Sequence, residues 1–373
     1  MQNVSAGGLG IGDGYPPRIM GVLNVSEESP YDPSVFDDPA EAAAYVDREL
    51  VDEGADIVDV GLESANKRFE VLSADEELDR LQTAIETVDR VGGDAVFSIE
   101  TRYHEVAEAA LDANFDMVND ICGFADPEMP AVCESRDAAV VKMASPRDLE
   151  RPGAVEDVDD IYDALERNGL TEKTILDPAF GGWSEAKTLA DDRETFRRLR
   201  EFRALDRPLL VSINRKNFLR DLADRSTEEA LPVSLAATSM AVERGAHVIR
   251  THDVAETRDA AIIGDAFAPD LSSSDCVHEL DVTSAAELRR HIVAVGGDRR
   301  RAPEGVSRAF RIEDVAEEEL THLATAGTRA GVVVEGGPDE VVLAGSEGAL
   351  RSFANRVTDR VERVSDAVRD TLP

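Results

Sequence analysis

The run IMGVLNV at residues 19–25 decides the architecture. Apolar residues fill it almost without alternation, which is how a parallel strand covered on both faces reads. LLVSI at 209–213 reads the same way. Working outward, six more short apolar runs occupy 56–60, 95–100, 117–121, 139–143, 174–177 and 248–251. Each of the eight is followed by a stretch with helical spacing, near 40–54, 74–91, 104–113, 127–135, 157–168, 190–203, 226–244 and 254–267. Eight β–α units in about 250 residues predict an α/β chain folded as a (β/α)8 TIM barrel. An open doubly wound sheet is the rival. It needs no eight units, and no G-x-G-x-x-G follows the first strand.

The barrel is expected to run from residue 18 to 269. Ahead of it, residues 1–17 are Gly-rich and read as a flexible arm; they lack the basic-then-apolar plan of a signal peptide. Behind it, a Pro/Ser/Asp-rich linker at 270–275 leads to a small α/β unit at 276–373. There the pattern predicts a strand at 277–282, a helix at 284–295, a strand at 306–312, a helix at 314–327, strands at 331–335 and 340–344, and one final helix. Leu350, Phe353, Val357, Val361, Val364 and Val368 form an apolar stripe at helical spacing, which marks a core face. Arg299, Arg300 and Arg301 read as a solvated loop.

The formal charge is -37, spread through the chain, and only five of the 40 basic residues are Lys. Val/Ile/Leu-rich runs rule out a disordered acidic chain. A self-repelling surface is tolerable where salt screens it, so the charge reads as adaptation to a salt-rich cytoplasm. It argues against nucleic acid and anionic membranes as partners. No apolar stretch approaches the ~18 residues of a membrane helix. Six His and the three cysteines Cys122, Cys133 and Cys276 are too scattered for a zinc cluster or a disulfide framework.

Polar residues gather where seven of the eight strands end: Asn24, then Glu63 and Ser64, Glu100, Asn119 and Asp120, Asp177, the trio Asn214, Arg215 and Lys216, and finally Arg250, His252 and Asp253. In a barrel those ends meet at one mouth, where active sites sit. One such residue is more often a loop anchor or a helix cap, and Asp177 can be read as an N-cap. Seven strands doing this together point to a site. Arg250 and His252 are two residues apart and so share a strand face. An Arg fork matches phosphate oxygens; alternatively Arg250 is ion-paired to a carboxylate such as Asp253 or Asp120.

These strand ends lie in phrases that resemble the dihydropteroate synthases, a family of pterin-binding barrels. IMGVLNVSEES (19–29) is similar to the family's first signature, close to LNVTPDSF, and GADIVDVGLES (54–64) resembles its second, GADIIDVGGES. SIET (98–101), NDICGFADPEM (119–129), LDP (176–178), NRK (214–216) and VIRTHDV (248–254) are similar to further family motifs in the family's order. The resemblance spans residues 18–268. The unit that follows resembles an accessory domain found in longer members, usually ahead of the barrel.

The resemblance implies a transferase that joins 6-hydroxymethyl-7,8-dihydropterin pyrophosphate to p-aminobenzoate, with Mg2+ as cofactor, working as a homodimer. A pterin presents adjacent N–H donors beside a carbonyl acceptor, which suits a carboxylate together with an amide or ammonium. Asp177, Asn119 and Lys216 fall on the family's pterin-contacting positions. Glu100 stands where the family usually has Asp, and its extra methylene carries the carboxylate outward by roughly 1.5 Å, one C–C bond. Arg250 and His252 fall on the pair that takes the pyrophosphate, and with Lys216 they are the expected catalytic residues. Ser64 and Asn214 complete the expected substrate-binding set. Asn24 matches the position near Mg2+, on a first loop that also carries Ser26 and Asp32.

Some phrases depart from the pattern. The family's STRPG is replaced by SANKRF (64–69), so Lys67 or Arg68 would have to supply the cation. AFGGWSEAK (179–187) leaves the register of its loop open, with Phe180 or Trp183 as the expected apolar wall. Asn214 replaces a Ser, and VVKMAS (140–145) lacks the family's His. The changes cluster on the amine side, so the pterin is better specified than the amine. Two other readings stay open: a non-catalytic pterin-binding paralogue, and a pterin-dependent methyltransferase barrel. The second has no reason to keep an Arg-x-His pair for pyrophosphate.

Overall fold

The computed structural model describes residues 1–25, 34–63, 71–149, 153, 155–181, 186–274, 276–357 and 361–372. The chain divides into two compact units, Met1–Asp270 and Leu271–Pro373.

The first unit is built on eight parallel strands: β3 (Arg18–Asn24), β4 (Ile57–Gly61), β5 (Val96–Thr101), β6 (Met117–Asp120), β7 (Ala139–Met143), β8 (Thr174–Asp177), β9 (Leu210–Val211) and β10 (Val248–Thr251). They follow the order β8-β7-β6-β5-β4-β3-β10-β9. A parallel bridge from Leu176 to Leu209 joins the two ends. The Leu176 amide also donates to the Pro208 carbonyl at 2.8 Å. The sheet therefore closes into the TIM barrel that the eightfold repeat predicts.

Side chains alternate across each strand, and here the alternation stacks the interior in layers. Met20, Ile57, Val96, Met117, Ala139, Val141, Ile175, Leu210 and Val248 share one buried cluster inside the barrel. Helices cover the outside, where Leu23, Val58, Val60, Ile99, Val118 and Ile249 belong to the larger core. Two helices follow β9, α7 (Asn217–Ala223) and α8 (Leu231–Glu243), where the sequence suggests a single stretch.

The expected flexible arm at 1–17 is instead an ordered hairpin. Strands β1 (Val4–Ala6) and β2 (Leu9–Ile11) pair antiparallel. The glycines that suggest flexibility make the turn between them: Gly7 (φ 53) and Gly8 (φ 90) both adopt the left-handed backbone that a two-residue hairpin requires. Val4, Ala6 and Ile11 are buried in the same cluster as the interior layer, so the hairpin plugs the barrel at the N-terminal ends of its strands. Beyond it, His247 accepts the Leu209 amide at Nδ1 (3.1 Å), which leaves its Nε2 proton to donate to Asp13 (3.0 Å).

The second unit holds a three-stranded antiparallel sheet of β11 (Ser307–Val315), β12 (Val333–Gly337) and β13 (Asp339–Ser346), in the order β11-β13-β12. The strand expected at 277–282 does not form among the described residues; an isolated bridge joins Ser273 and His278. The single final helix is two helices, Glu347–Arg356 and Glu362–Thr371, with Val357 in extended conformation between them. The stripe still forms core, with Leu350, Phe353, Val361, Val364 and Val368 buried and Val357 packed against them. Apolar spacing identifies which residues face a core. It does not say whether the axis continues. Among the described residues, no helix is long and apolar enough to cross a membrane.

The hairpin plug has a testable energy. Ile11 is fully buried, so Ile11→Ala should lower the barrel's unfolding free energy by about 2–4 kcal/mol through lost transfer and cavity terms. Denaturant unfolding at fixed, high KCl measures it. A change below about 0.5 kcal/mol, the range of ordinary surface substitutions, would show that the hairpin is not part of the core.

Candidate active site

Two residues above the apolar layer, the same strand faces turn polar. Ile57 is followed by Asp59, Val96 by Ser98, Met117 by Asn119, Ile175 by Asp177 and Val248 by Arg250. One further step brings Gly61, Glu100 and His252. Sequence and strand geometry together thus place a polar layer at the C-terminal mouth.

Asp59 is the hub of one side. Its Oδ2 accepts Arg250 Nε at 2.7 Å and Asn119 Nδ2 at 3.0 Å. Arg250 Nη2 also donates to Glu100 Oε2 at 2.7 Å. One connected network therefore links β10, β4, β5 and β6. Among the described residues, Asp59 Oδ1 and Ser98 Oγ are buried without a hydrogen-bond partner, which leaves polar atoms on β4 and β5 for a further partner. Sequence reasoning missed Asp59. Its signal was present: a carboxylate inside an apolar strand run, with the same parity as Ile57.

The other side is made by the loops after β8 and β9. Asp177 Oδ1 accepts the Ala179 amide at 2.8 Å, so Asp177 anchors its own loop; it does not cap a helix, since α6 (Leu189–Arg197) starts later with Thr188 as its cap. The loop stays close to the next: a Cβ added to Gly181 (φ +110) would lie 3.2 Å from Lys216 Nζ. Lys187 donates to the Ala179 carbonyl and ion-pairs with Asp192 at 3.3 Å, and Asp192 accepts the Gly181 amide at 3.2 Å. Lys216 stands at the N-cap of α7. Asn214 Nδ2 donates to Asp253 at 2.8 Å, while Asn214 Oδ1 is buried without a partner among the described residues.

Asn24 ends β3. Its Nδ2 donates to Ser34 Oγ at 2.9 Å, which turns Oδ1 toward Gly61, 3.0 Å from where a Cβ would stand. Arg250 is ion-paired to carboxylates, as the alternative reading expects, but to Asp59 and Glu100 and not to Asp253 or Asp120. Asp253 is taken by Arg215, and Asp120 accepts the backbone amides of Cys122 and Phe124 at 2.8 and 2.7 Å. Phe180 is no site wall; it is buried against Phe196 and Phe218. Ser64, Ser26, Asp32, Lys67, Arg68 and Trp183 lie outside the described residues.

Comparison with known proteins converges on one family. Residues 20–252 match the family model described as "Pterin binding enzyme". The chain is 35% identical over 260 residues to a probable bifunctional folylpolyglutamate synthase/dihydropteroate synthase of Haloferax volcanii, covering 65% of this chain and 30% of that protein. A similar bifunctional protein of Halobacterium salinarum is matched over 32% of its length. The chain therefore spans about a third of these longer relatives. The dihydropteroate synthase of Bacillus subtilis is 30% identical, over 67% of this chain and 88% of that one. Among solved structures, a dihydropteroate synthase from Coxiella burnetii in complex with pteroic acid aligns with TM-score 0.59 at 28% identity, covering 71% of this chain and 98% of that chain. The Thermus thermophilus dihydropteroate synthase in complex with 4-aminobenzoate aligns with TM-score 0.58 at 30% identity, covering 71% and 99%.

Burial sets the electrostatics of the mouth. It raises Glu100 to about 7, against the pull of Arg250 and with Asp59 and Glu63 adding repulsion. It raises Asp177 as well, opposed by the Ala179 amide and Lys216. Burial, reinforced by Arg250, lowers Lys216. Burial and then Arg250 lower His252 to about 3, so its imidazole is neutral at neutral pH. Burial works against the Arg250 charge too, but Glu100 and Asp59 outweigh it and hold the guanidinium protonated.

A carboxyl with a raised folded pKa contributes stability that is full below its unfolded value, 4.5 for Glu, and is lost as pH rises through about 7. Between pH 5 and 8 the wild type should therefore lose roughly 1–3 kcal/mol relative to Glu100→Gln, since each pKa unit is worth about 1.4 kcal/mol. Paired urea titrations at the two pH values measure the difference. A wild type that keeps pace with the variant across this range would mean that Arg250 dominates and that Glu100 is already ionised at pH 5 in the folded protein.

Proposed function

The chain belongs to the pterin-binding enzyme family, and from that membership we propose that it is a transferase condensing 6-hydroxymethyl-7,8-dihydropterin pyrophosphate with p-aminobenzoate. The products are 7,8-dihydropteroate and pyrophosphate, a step of folate biosynthesis. The observation that carries this reading is the buried network of Asp59, Asn119, Glu100 and Arg250 facing Asp177 and Lys216 across one mouth. It offers carboxylates for adjacent N–H donors and an amide and ammonium for a carbonyl, the complement of a pterin edge.

In this assignment Asp177, Asn119, Glu100 and Lys216 hold the pterin, and Arg250 and His252 hold the pyrophosphate. The neutral His252 ring donates or accepts a hydrogen bond there and adds no charge. Ser64 and Asn214 contact substrate on the amine side. The residues fit a hard cation: Asn24 turns its amide oxygen toward the mouth because Ser34 takes its nitrogen, and oxygen is what Mg2+ prefers. Asn24 would hold Mg2+, which when bound offsets phosphate charge.

The reaction is a substitution at the pterin's exocyclic CH2. The C–O bond to pyrophosphate breaks, the aryl amine nitrogen forms the new C–N bond, and that nitrogen then releases a proton. Catalysis is by positioning and by charge placed in advance at the leaving group. No enzyme nucleophile is needed. Burial pushes both Cys122 and Cys133 up to about 12, which keeps these thiols protonated and inert.

In 2 M KCl with MgCl2, pyrophosphate release should require both the pterin pyrophosphate and p-aminobenzoate. Asp177→Asn should lower kcat/KM by about 10–100-fold, the worth of a hydrogen bond to a charged group. Absence of release in the wild type rejects the synthase. Calorimetric pterin binding without turnover would select the non-catalytic paralogue.

The charge of -37 supports a cytoplasmic, salt-adapted protein, because the Debye length shrinks to about 3 Å at 1 M salt. Met240, Ile262, Ile263 and Phe267 leave apolar side chains exposed on α8 and at and after α9 (Val254–Ala266), which a second copy of the barrel would cover. The unfolding midpoint should rise between 0.2 and 2 M KCl, with light scattering giving twice 40.4 kDa at the higher salt. A single-chain mass at 2 M KCl would reject the homodimer.

A further inference from the structure

Arg215 is flanked by two residues of the proposed site, Asn214 and Lys216, and Asp253 follows a third, His252. Neither Arg215 nor Asp253 has yet been given a role. The two meet in a bidentate pair: Arg215 Nε donates to Asp253 Oδ2 at 2.9 Å and Nη2 to Oδ1 at 2.8 Å. The guanidinium also donates through Nη1 to the carbonyls of Thr227 (2.8 Å) and Glu228 (3.0 Å), in the connection between α7 and α8. Asn214 Nδ2 shares the same carboxylate oxygen at 2.8 Å. The loop after β9, the loop after β10 and the approach to α8 are thus tied at one point.

Two features show that the chain gives something up for this pair. Arg215 has φ 51, a left-handed backbone that a β-carbon disfavours, and its amide is held there by Ser234 Oγ at 2.8 Å. Asp253 sits at the N-cap of α9, the position where Asp ordinarily caps a helix, yet its side chain makes no cap hydrogen bond and turns to Arg215 instead. The left-handed step at Arg215 sits between strand β9 and Lys216, which then starts α7 with its ammonium over Gly181.

We infer that Arg215 and Asp253 are positioning residues that fix the spacing between Lys216 and His252. Resting on the proposed function, this sets the distance between the group that holds the pterin and the group that holds the pyrophosphate. A ligand carrying both halves gains affinity only when the two subsites stand at its own spacing. Either half alone does not sense that spacing. The pair is a fork on a carboxylate, so Lys cannot replace Arg215 with the same geometry.

The test compares three probes in 2 M KCl: 6-hydroxymethyl-7,8-dihydropterin pyrophosphate, 6-hydroxymethyl-7,8-dihydropterin and inorganic pyrophosphate. Binding is measured by calorimetry on the wild type, Arg215→Lys, Arg215→Gln, Asp253→Asn and the double variant Arg215→Gln/Asp253→Asn. The conjugate should bind about 10–100-fold more weakly to each single variant, while either half binds within about 3-fold of wild type. The double variant should be no worse than the weaker single one, because both changes remove one coupling. Equal weakening of all three probes would show a merely structural role, and unchanged conjugate binding would show no role; either overturns the inference. Additive losses in the double variant overturn it too. A wild type that binds none of the probes refutes the proposed function, and the positioning role with it. Asp253→Asn keeps the side-chain shape and Arg215→Lys keeps the charge, so unfolding midpoints near wild type in these two variants separate lost spacing from lost fold.

Discussion

The site depends on one constraint: Asp59 is a fully buried carboxylate, and a charge taken out of water must be paired where it lies. Arg250 and Asn119 supply the pairing from strands on either side, and Arg250 carries the connection to Glu100. Removing one partner of such a pair typically costs about 3–5 kcal/mol because the other is left buried and unmatched. The strands β6, β5, β4, β3 and β10 are neighbours in the barrel, so the network ties the polar ends of β6, β5, β4 and β10 together, reaching across β3. The buried ion pair fixes the polar side chains of these strands relative to one another. Preorganisation for a polar ligand would follow from that, and among the described residues two atoms, on Asp59 and Ser98, are left without a partner.

The barrel was legible because its eight strands are buried on both faces, and burial writes itself into sequence as unbroken apolar runs. The positions of Glu100, Asn119, Asp177, Lys216, Arg250 and His252 were legible for a related reason: polarity appears abruptly where each run ends. Asp59 was not, since it lies within a run and its meaning depends on which residues share its face. Pair choice was also out of reach. Arg250 had 77 acidic residues to choose from, and only three dimensions bring Asp59 within 2.7 Å of it and Arg215 within 2.8 Å of Asp253. The hairpin at Val4–Ile11 misled for a local reason, because glycines that serve a turn have the same composition as glycines that serve a linker.

Charge usage separates surface from site. All but five of the 40 basic residues are Arg, and four of those five Lys lie among the described residues. Lys142 and Lys187 are buried, Lys216 stands at the mouth, and Lys173 pairs with Asp137 at 2.7 Å. A compact ammonium fits where a planar guanidinium does not, as at Lys142, which donates to the carbonyls of Arg167 and Gly169 and lies 4.7 Å from the Phe124 ring centroid. A net charge of -37 repels anions at long range, so the cations at the mouth would act on an anionic ligand only at close quarters, once salt has screened the rest.

Backbone strain is distributed with the same economy. Four connections leading into strands carry a left-handed residue that tolerates the conformation: Asn114 before β6, Asp137 before β7, Asn168 before β8 and Asp206 before β9. Asn and Asp adopt it at little cost. At the mouth the left-handed non-glycine residues among those described are Phe124 after β6, Ala179 after β8 and Arg215 after β9, none of which tolerates it so readily; such strain costs about 1–3 kcal/mol each and persists only where surroundings enforce it. The enforcement is visible in each case: Asp120 accepts the Phe124 amide, Asp177 accepts the Ala179 amide, and Ser234 accepts the Arg215 amide. Two of those acceptors are acidic residues of the polar strand ends themselves. The carboxylates of Asp120 and Asp177 therefore shape the loops around them, and the loop after β8 takes its path from Asp177, a residue that the ligand would meet.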